Sequence, residues 1–248
     1  MAGTAVLGRL TWRLADVVDV MAETPRVTTL VFDVPGWPGH RAGQHVDVRL
    51  TAEDGYQTER SYSISSAPDG TRIALTVVRV DDGEVSPYLT GELRPGDQIE
   101  VRGPIGGYFV WEPELGGPLL LVGGGSGLAP LMAMIRLRAA AGSDAETRLL
   151  VSSRGWEDIL YRSELERLAG GGLTVLHTLT ASRPPGWTGY ARRVDADMLA
   201  EIGPGPEARP HVFVCGPTPF VEAVAEALVS LGHDPRRIKT ERFGPTGG

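Results

Sequence analysis

A single cysteine, Cys215, stands in the 248 residues. Alone, this chain can therefore build no intramolecular disulfide, no thiolate zinc cluster and no ordinary cysteine-held iron–sulfur cage. Any such centre belongs to another protein. Positive charge is also short: 24 Lys and Arg face 31 Asp and Glu, for a formal charge of −7. That balance opposes a general affinity for nucleic acid or anionic membrane. No apolar run approaches the ~18 residues that span a bilayer, because the run from Pro118 to Val122 meets glycines at once. The opening stretch places Arg9, Arg13 and Asp16 inside its apolar pattern, which does not suit a secretory signal, and cytoplasm is the expected compartment. What remains is ordinary globular composition, with 42% hydrophobic and 22% charged residues. Neither disorder nor a fibrous repeat is indicated, and the length allows one large or two modest domains.

Two rhythms divide the chain. Up to about Trp111, short alternating strands such as 45–50, 72–77 and 98–101 are separated by turn pairs at Pro35-Gly36, Asp54-Gly55, Asp69-Gly70, Asp82-Gly83 and Pro95-Gly96. This spacing predicts an antiparallel barrel or sandwich. Ser86 before Pro87 predicts an N-cap and a short helix through Leu93. After a linker at 112–118 the pattern becomes strand then helix. Apolar strands are predicted at 119–122, 149–151, 173–176 and 212–214. Helices follow near 128–135, 163–168, 195–202 and 219–231, and a closing strand near 238–240. Thr218 is a further candidate cap. Continuous apolar strands fit burial on both faces of a parallel sheet, so the second half reads as doubly wound α/β.

Chemistry concentrates at strand ends. Arg60-Ser61-Tyr62-Ser63 combines a fixed cation, a planar aromatic and small hydroxyls on one strand. Arg60 and Tyr62 share one face, Ser61 and Ser63 the other. The first pair suits the pyrophosphate and ring of a flavin dinucleotide. Gly83-Glu84-Val85-Ser86 offers a second phosphate-holding turn. The run Gly123-Gly124-Gly125-Ser126-Gly127 joins an apolar strand to an amphipathic helix that carries Pro130 in its first turn. Glycines there let a ligand approach the backbone. No acidic residue ends the next strand; Ser152-Ser153-Arg154 stands there instead, which favours a 2′-phosphate and hence NADP over NAD, with Arg162 and Arg183 as further candidates. Cys215-Gly216-Pro217 repeats the strand-end arrangement and would face the same crevice as the glycine run.

Taken in order, the stretches 60–63, 83–86, 103–109 (Gly-Pro-Ile-Gly-Gly-Tyr-Phe), 123–130, 215–220 and 241–248 resemble the ferredoxin-NADP reductase family over nearly the whole chain. The resemblance implies two domains, β plus α/β. Residues 1–112 would form an N-terminal antiparallel Greek-key barrel that binds FAD. Residues 118–248 would form a C-terminal doubly wound parallel sheet that binds NADP, with NAD as the alternative. It also implies the site. Arg60 contacts the FAD pyrophosphate, Tyr62 packs on the isoalloxazine, and Ser61 belongs to the same cofactor-binding strand. Ser63 lies near the flavin N5. Val77 and Val78 line the flavin through their backbone, and Gly83, Val85 and Ser86 hold its phosphates. Gly124, Gly125, Ser126, Gly127, Pro130, Cys215, Gly216 and Pro217 receive the nicotinamide nucleotide, whose ribose phosphate falls, by residue type and position alone, to Ser153, Arg154, Arg162 and Arg183. Phe243 covers the flavin, and Ser63, Cys215 and Glu241 form the catalytic group. The implied activity is hydride transfer from NADPH to flavin, then release of single electrons to a separate carrier. That carrier is a ferredoxin or an oxygenase component, including one serving a cytochrome P450. Plant-type members end on a Tyr; here Phe243 is followed by a Gly-Pro tail, more like the bacterial reductase components of oxygenases. The alternative is an electron-transfer flavoprotein subunit of a stable complex, although the C-terminal cysteine cluster of the dihydroorotate dehydrogenase subunit is absent. A monomer is expected.

Overall fold

The computed structural model describes residues 10–244. Expectations resting on Arg9 and on the tail beyond Gly244 lie outside the described residues.

The first half is one six-stranded antiparallel sheet. Its strands are β1 (Trp12–Thr24), β2 (Val27–Asp33), β3 (His45–Thr51), β4 (Gln57–Ser63), β5 (Arg72–Val78) and, after helix α1 (Ser86–Gly91), β6 (Gln98–Ile105). The order β4-β3-β6-β1-β2-β5 brings β6 back between β3 and β1. An Ile64–Leu75 bridge ties the end of β4 to β5 and rolls the sheet towards a barrel. Alternation decides which side chains enter: Val46, Val48, Leu30, Phe32, Ile73, Leu75 and Val101 are fully buried in one core. Each such burial contributes roughly 1.5–3 kcal/mol.

The predicted cap at Ser86 is corrected. Val85 occupies the cap position, no side chain caps the helix, and α1 ends at Gly91 rather than Leu93. Ser86 Oγ is engaged elsewhere, accepting from the Val80 amide at 3.0 Å and so closing the 80–86 loop.

A strap then crosses between the halves. Phe109 and Trp111 are buried in the core of the second half, not in the barrel core. Tyr108 Oη donates to the Ile238 carbonyl at 3.2 Å, and Lys239 Nζ to the Val110 carbonyl at 3.1 Å.

The second half alternates as predicted: β7 (Leu119–Gly124), α2 (Leu128–Ala140), β8 (Thr147–Ser153), α3 (Arg162–Leu168), β9 (Leu173–Leu179), α4 (Ala196–Ile202), β10 (His211–Pro217), α5 (Thr218–Ser230) and β11 (Ile238–Phe243). All strands pair in parallel, in the order β11-β10-β7-β8-β9. The period of two separates the faces. Leu119, Leu121, Leu149, Val151, Phe213 and Cys215 pack with α2 and α3. Leu120, Val122, Leu150, Val212 and Val214 pack with α4 and α5. The sheet is therefore doubly wound, which is why its strands read as unbroken apolar runs. Thr218 is not a cap: it is the first helical residue of α5, behind Pro217, and makes no capping hydrogen bond. Chain order reverses direction at β7, so the crevice of this sheet lies between the carboxyl ends of β7 and β10.

Candidate functional site

On the barrel side, β3 and β4 set the register. Tyr62 pairs with Val46, Arg60 with Val48, Ser61 with Asp47 and Ser63 with His45. Paired residues share a face, so Arg60 and Tyr62 stand together at the open edge of the barrel, as the alternation predicts. Arg60 keeps 54% of its side chain exposed and reaches Glu84 of the 83–86 loop at 3.7 Å. Glu84 is drawn into the same cluster by Tyr56 Oη at 3.2 Å and Thr58 Oγ1 at 3.0 Å. Tyr62 packs against the barrel core, and burial pushes its phenol up to about 12. Ser61 points away: its Oγ donates to Asp47 at 2.6 Å, inside an ion cluster with Arg102. Ser63 Oγ is buried and has no hydrogen-bond partner in the protein. Val77 faces the barrel core, whereas Val78 packs against the core of the second half.

On the nucleotide side, the glycines do different work from that expected of them. A Cβ on Gly127 would sit 2.1 Å from the Cys215 carbonyl oxygen, and one on Gly124 3.0 Å from the Phe220 ring. Gly127 is small because the turn after β7 meets the backbone of β10, and Gly124 because the Phe220 ring of α5 lies against it. Gly125 is the exception: it is exposed, its φ is +55°, and its Cβ position meets nothing within 4 Å. Ser126 beside it is half-buried, and Pro130 is buried in α2. Gly216 is buried against Gly124 and Phe220, while Pro217 is exposed.

Across the sheet, Cys215 pairs with Gly123 on one side and Glu241 on the other. Cys215 is fully buried. Burial first, and the neighbouring Glu241 carboxylate second, push its thiol well above the ordinary range, so it stays protonated and is no nucleophile. Glu241 Oε2 is buried without a partner, and desolvation lifts this carboxyl to about 7.

The three arginines separate. Arg154 follows β8, exposed, with its carbonyl accepting from the amides of Ala181 and Ser182 at 2.8 and 3.0 Å. The loop carrying exposed Arg183 thus lies against it, beside buried Ser153. Arg162 is turned elsewhere: its guanidinium stacks 4.8 Å over the Trp156 ring, which also meets Trp187 and His177 edge-on. Sequence reasoning missed His45, Tyr56, Thr58 and Glu84. His45 stands opposite Ser63, and burial lowers its pKa. The signal for His45 and Thr58 was the alternation of β3 and β4, usable only once their register is known, whereas Tyr56 and Glu84 lie in loops and are marked only by their hydrogen bonds.

The barrel group fits a flavin dinucleotide in kind: a half-exposed guanidinium, a phenol ring at an open barrel edge and an orphaned hydroxyl. The second group fits a nucleotide, because Gly125 presents open backbone at the switch point and an orphaned carboxyl, Glu241, stands on β11 beside Cys215.

Comparison with known proteins agrees. A family model described as an oxidoreductase FAD-binding domain matches residues 15–110, and one described as an oxidoreductase NAD-binding domain matches residues 121–226. The chain is 39% identical over 209 residues to ferredoxin–NADP reductase B of Sorangium cellulosum, covering 82% of this chain and 84% of that one. It is 34% identical over 239 residues to the glycine betaine monooxygenase reductase subunit of Pseudomonas aeruginosa, covering 94% of this chain but only 64% of that subunit's length. Among solved structures, a cytochrome P450 reductase of Amycolatopsis superposes with a TM-score of 0.83 at 28% identity, over 98% of this chain and 74% of that one.

Proposed function

The chain belongs to the ferredoxin-NADP reductase family of FAD-dependent NAD(P)H oxidoreductases, and from that premise we propose how its two halves share the reaction. The observation that carries the proposal is the seam. Val78 of β5 and Phe243 of β11 pack against one apolar cluster that also holds Cys215 and Leu128, the residue following the glycine turn. Residues far apart in sequence thus converge where β5 touches the 125–127 turn.

Bound FAD and nicotinamide would supply the redox chemistry, hydride transfer between them and single-electron release to a partner. The chain's residues hold and orient. Arg60, with the backbone of Gly83, Val85 and Ser86, anchors the phosphates of FAD. Tyr62 supports its ring, the backbone at Val77 and Val78 runs beside it, and Ser63 Oγ meets its polar edge. Ser61 contributes backbone alone, its hydroxyl being engaged by Asp47. Gly124, Gly125, Ser126, Gly127, Gly216 and Pro217 shape the approach of the nicotinamide nucleotide, and buried Pro130 fixes the start of α2. Cys215 forms a protonated wall, Phe243 a cover, and Glu241, with its pKa near neutrality, can hold or release a proton at Oε2. Ser153, Arg154 and Arg183 receive a 2′-phosphate, so NADPH is the preferred donor and NADH the lesser one. Arg162 is a weaker candidate because its guanidinium already stacks on Trp156.

With no cysteine ligands for a cluster of its own, electrons leave to a separate redox protein, a ferredoxin or an oxygenase component. The names of the relatives support this choice. The division into residues 1–112 and 118–248, a monomeric state and a cytoplasmic setting belong to the same proposal; no described helix is long and apolar enough to cross a membrane. The test is anaerobic titration of the FAD-loaded protein. NADPH should bleach the flavin absorbance faster than NADH does, and no bleaching by either nucleotide would overturn the reading.

A further inference from the structure

Among the described residues, and besides the strap contacts of Tyr108 and Lys239, two residues of the nucleotide half donate side-chain hydrogen bonds to the barrel, Tyr161 and Arg136. Tyr161 precedes α3 with φ of +53° and ψ of 26°, a left-handed conformation that a bulky side chain rarely adopts. It is 3% exposed, and its hydroxyl donates to Thr76 Oγ1 of β5. Thr76 is itself bonded to Thr29 Oγ1 at 2.8 Å, and Thr29 to Glu23 at 2.8 Å. From α2, Arg136 lies 5.0 Å over the Tyr161 ring, donates to the Ser65 carbonyl of the barrel at 2.7 Å, and is clamped by both oxygens of Glu164 at 3.0 and 2.6 Å. Behind this contact lies a cleft of about 360 Å³, between 22–25 of the barrel and 157–164. The seam is open on that side, and the polar bonds of Tyr161 and Arg136 add a directional tie to the apolar packing of the Tyr161 ring.

The clamp grips the two elements whose other parts form the reaction face. Thr76 immediately precedes Val77 and Val78, and Arg136 lies two turns along the helix that starts at the glycine turn. A shift at either anchor moves one face relative to the other as a rigid body. We propose that Tyr161 is a positioning residue: through Thr76, and braced by Arg136, it sets the distance between the nucleotide-binding turn and the flavin-lining strand. This rests on the functional reading above. It also accounts for the strained backbone, which directs the ring across the seam.

The experiment uses the full chain with Tyr161→Phe, which deletes the hydroxyl but keeps the ring under Arg136. FAD retention and the NADPH KM should stay within about twofold. The stopped-flow rate of flavin bleaching should fall about tenfold or more, since a misplacement of ~1 Å can cost roughly 10²-fold. Thr76→Val removes the same bond from the other side and should match it, Thr76→Ser should restore the rate, and Tyr161→Phe with Thr76→Val should be no slower than either alone. A wild-type bleaching rate in Tyr161→Phe, or a loss carried by KM and FAD retention instead of rate, overturns the proposal. Should Tyr161→Phe not fold, the Thr76 pair decides the matter. Hydrogen exchange on the cofactor-free chain is the independent arm: amides at 76–78 and 159–163 should exchange faster in the variant, and unchanged protection would reject the clamp. If the wild-type protein is bleached by neither nucleotide, the functional reading fails while exchange still judges the clamp.

Discussion

The two faces of the seam are built on opposite principles. The barrel side displays its polar groups: Arg60 is half in solvent, loosely held by Glu84, at the edge of an antiparallel sheet with one wet face. The nucleotide side hides them, with Cys215 fully buried and a carboxyl oxygen of Glu241 left without a partner. The difference follows from the sheets. A barrel edge can carry charge in water at little cost, whereas a parallel sheet covered by helices can present polarity only where its strands end. One face should therefore fail by losing affinity, and the other by losing structure or shifting its titration.

The sharpest way to break that contrast is Gly127→Ala. The added carbon would lie 2.1 Å from the Cys215 carbonyl oxygen and 2.6 Å from the Gly216 nitrogen. Neither is a flexible side-chain end, so the 125–127 turn and β10 must part. Overpacking of this kind costs about 1–3 kcal/mol and, against rigid backbone, belongs at the upper end, visible as a drop in the urea midpoint. Gly125→Ala, in open space, should cost only about 1 kcal/mol through its positive φ. Equal losses would mean that the backbone contact does not hold the crevice together.

On the barrel side, Arg60→Ala should leave the melting temperature nearly unchanged while FAD affinity falls roughly 30- to 100-fold, the loss expected for a charge-assisted bond to phosphate. Fluorescence titration of the cofactor-free protein measures it. Undiminished affinity would remove Arg60 from the pyrophosphate.

Glu241 tests the hidden side through pH. Its carboxyl holds a proton up to about 7 when folded, and up to ~4.3 when unfolded. Between those values the folded state binds more protons, so this group's stabilising contribution is lost as pH rises through about 7. Chemical unfolding should show this side chain contributing about 2 kcal/mol less at pH 8 than at pH 5, after discounting for partial solvation. Glu241→Gln should flatten that slope and remove any inflection near neutrality in the rate of flavin reduction. An unchanged slope would place the titration elsewhere.

How much of this could be read beforehand follows the same division. The run Leu119 to Val122 declared a doubly covered strand because both faces had to be apolar, and the alternation of Arg60 and Tyr62 declared a shared face. Neither argument needed a distant partner. What could not be read depended on register or competition. Ser63 faces His45 only through the pairing of β3 with β4. Ser86 is not a cap because Val80 claims its hydroxyl. Gly127 is glycine because a strand 88 residues later, at Cys215, presses on it. Tyr161 carried no motif; only its backbone angle and its reach to Thr76 mark it.

The smallest expected effect concerns Arg154, which joins the exposed character of the barrel face to the nucleotide half. Its backbone is pinned by Ala181 and Ser182, yet its side chain projects into solvent, so truncation should disturb nothing but charge. If it meets a 2′-phosphate, Arg154→Ala should raise the KM for NADPH about tenfold, leave kcat alone and leave NADH untouched. Because the pair is wet, salt should erase the discrimination: screening lengths fall from ~10 Å at 0.1 M to ~3 Å at 1 M, so the wild-type preference for NADPH should shrink towards that of the variant. Arg183→Ala should act in the same direction, since its loop lies against Arg154, whereas Arg162→Ala should act mainly through the lost stacking on Trp156. A preference that survives both Arg154→Ala and high salt would show that the discrimination is made by buried groups such as Ser153 instead, and that the nucleotide half keeps its chemistry hidden to its outer rim.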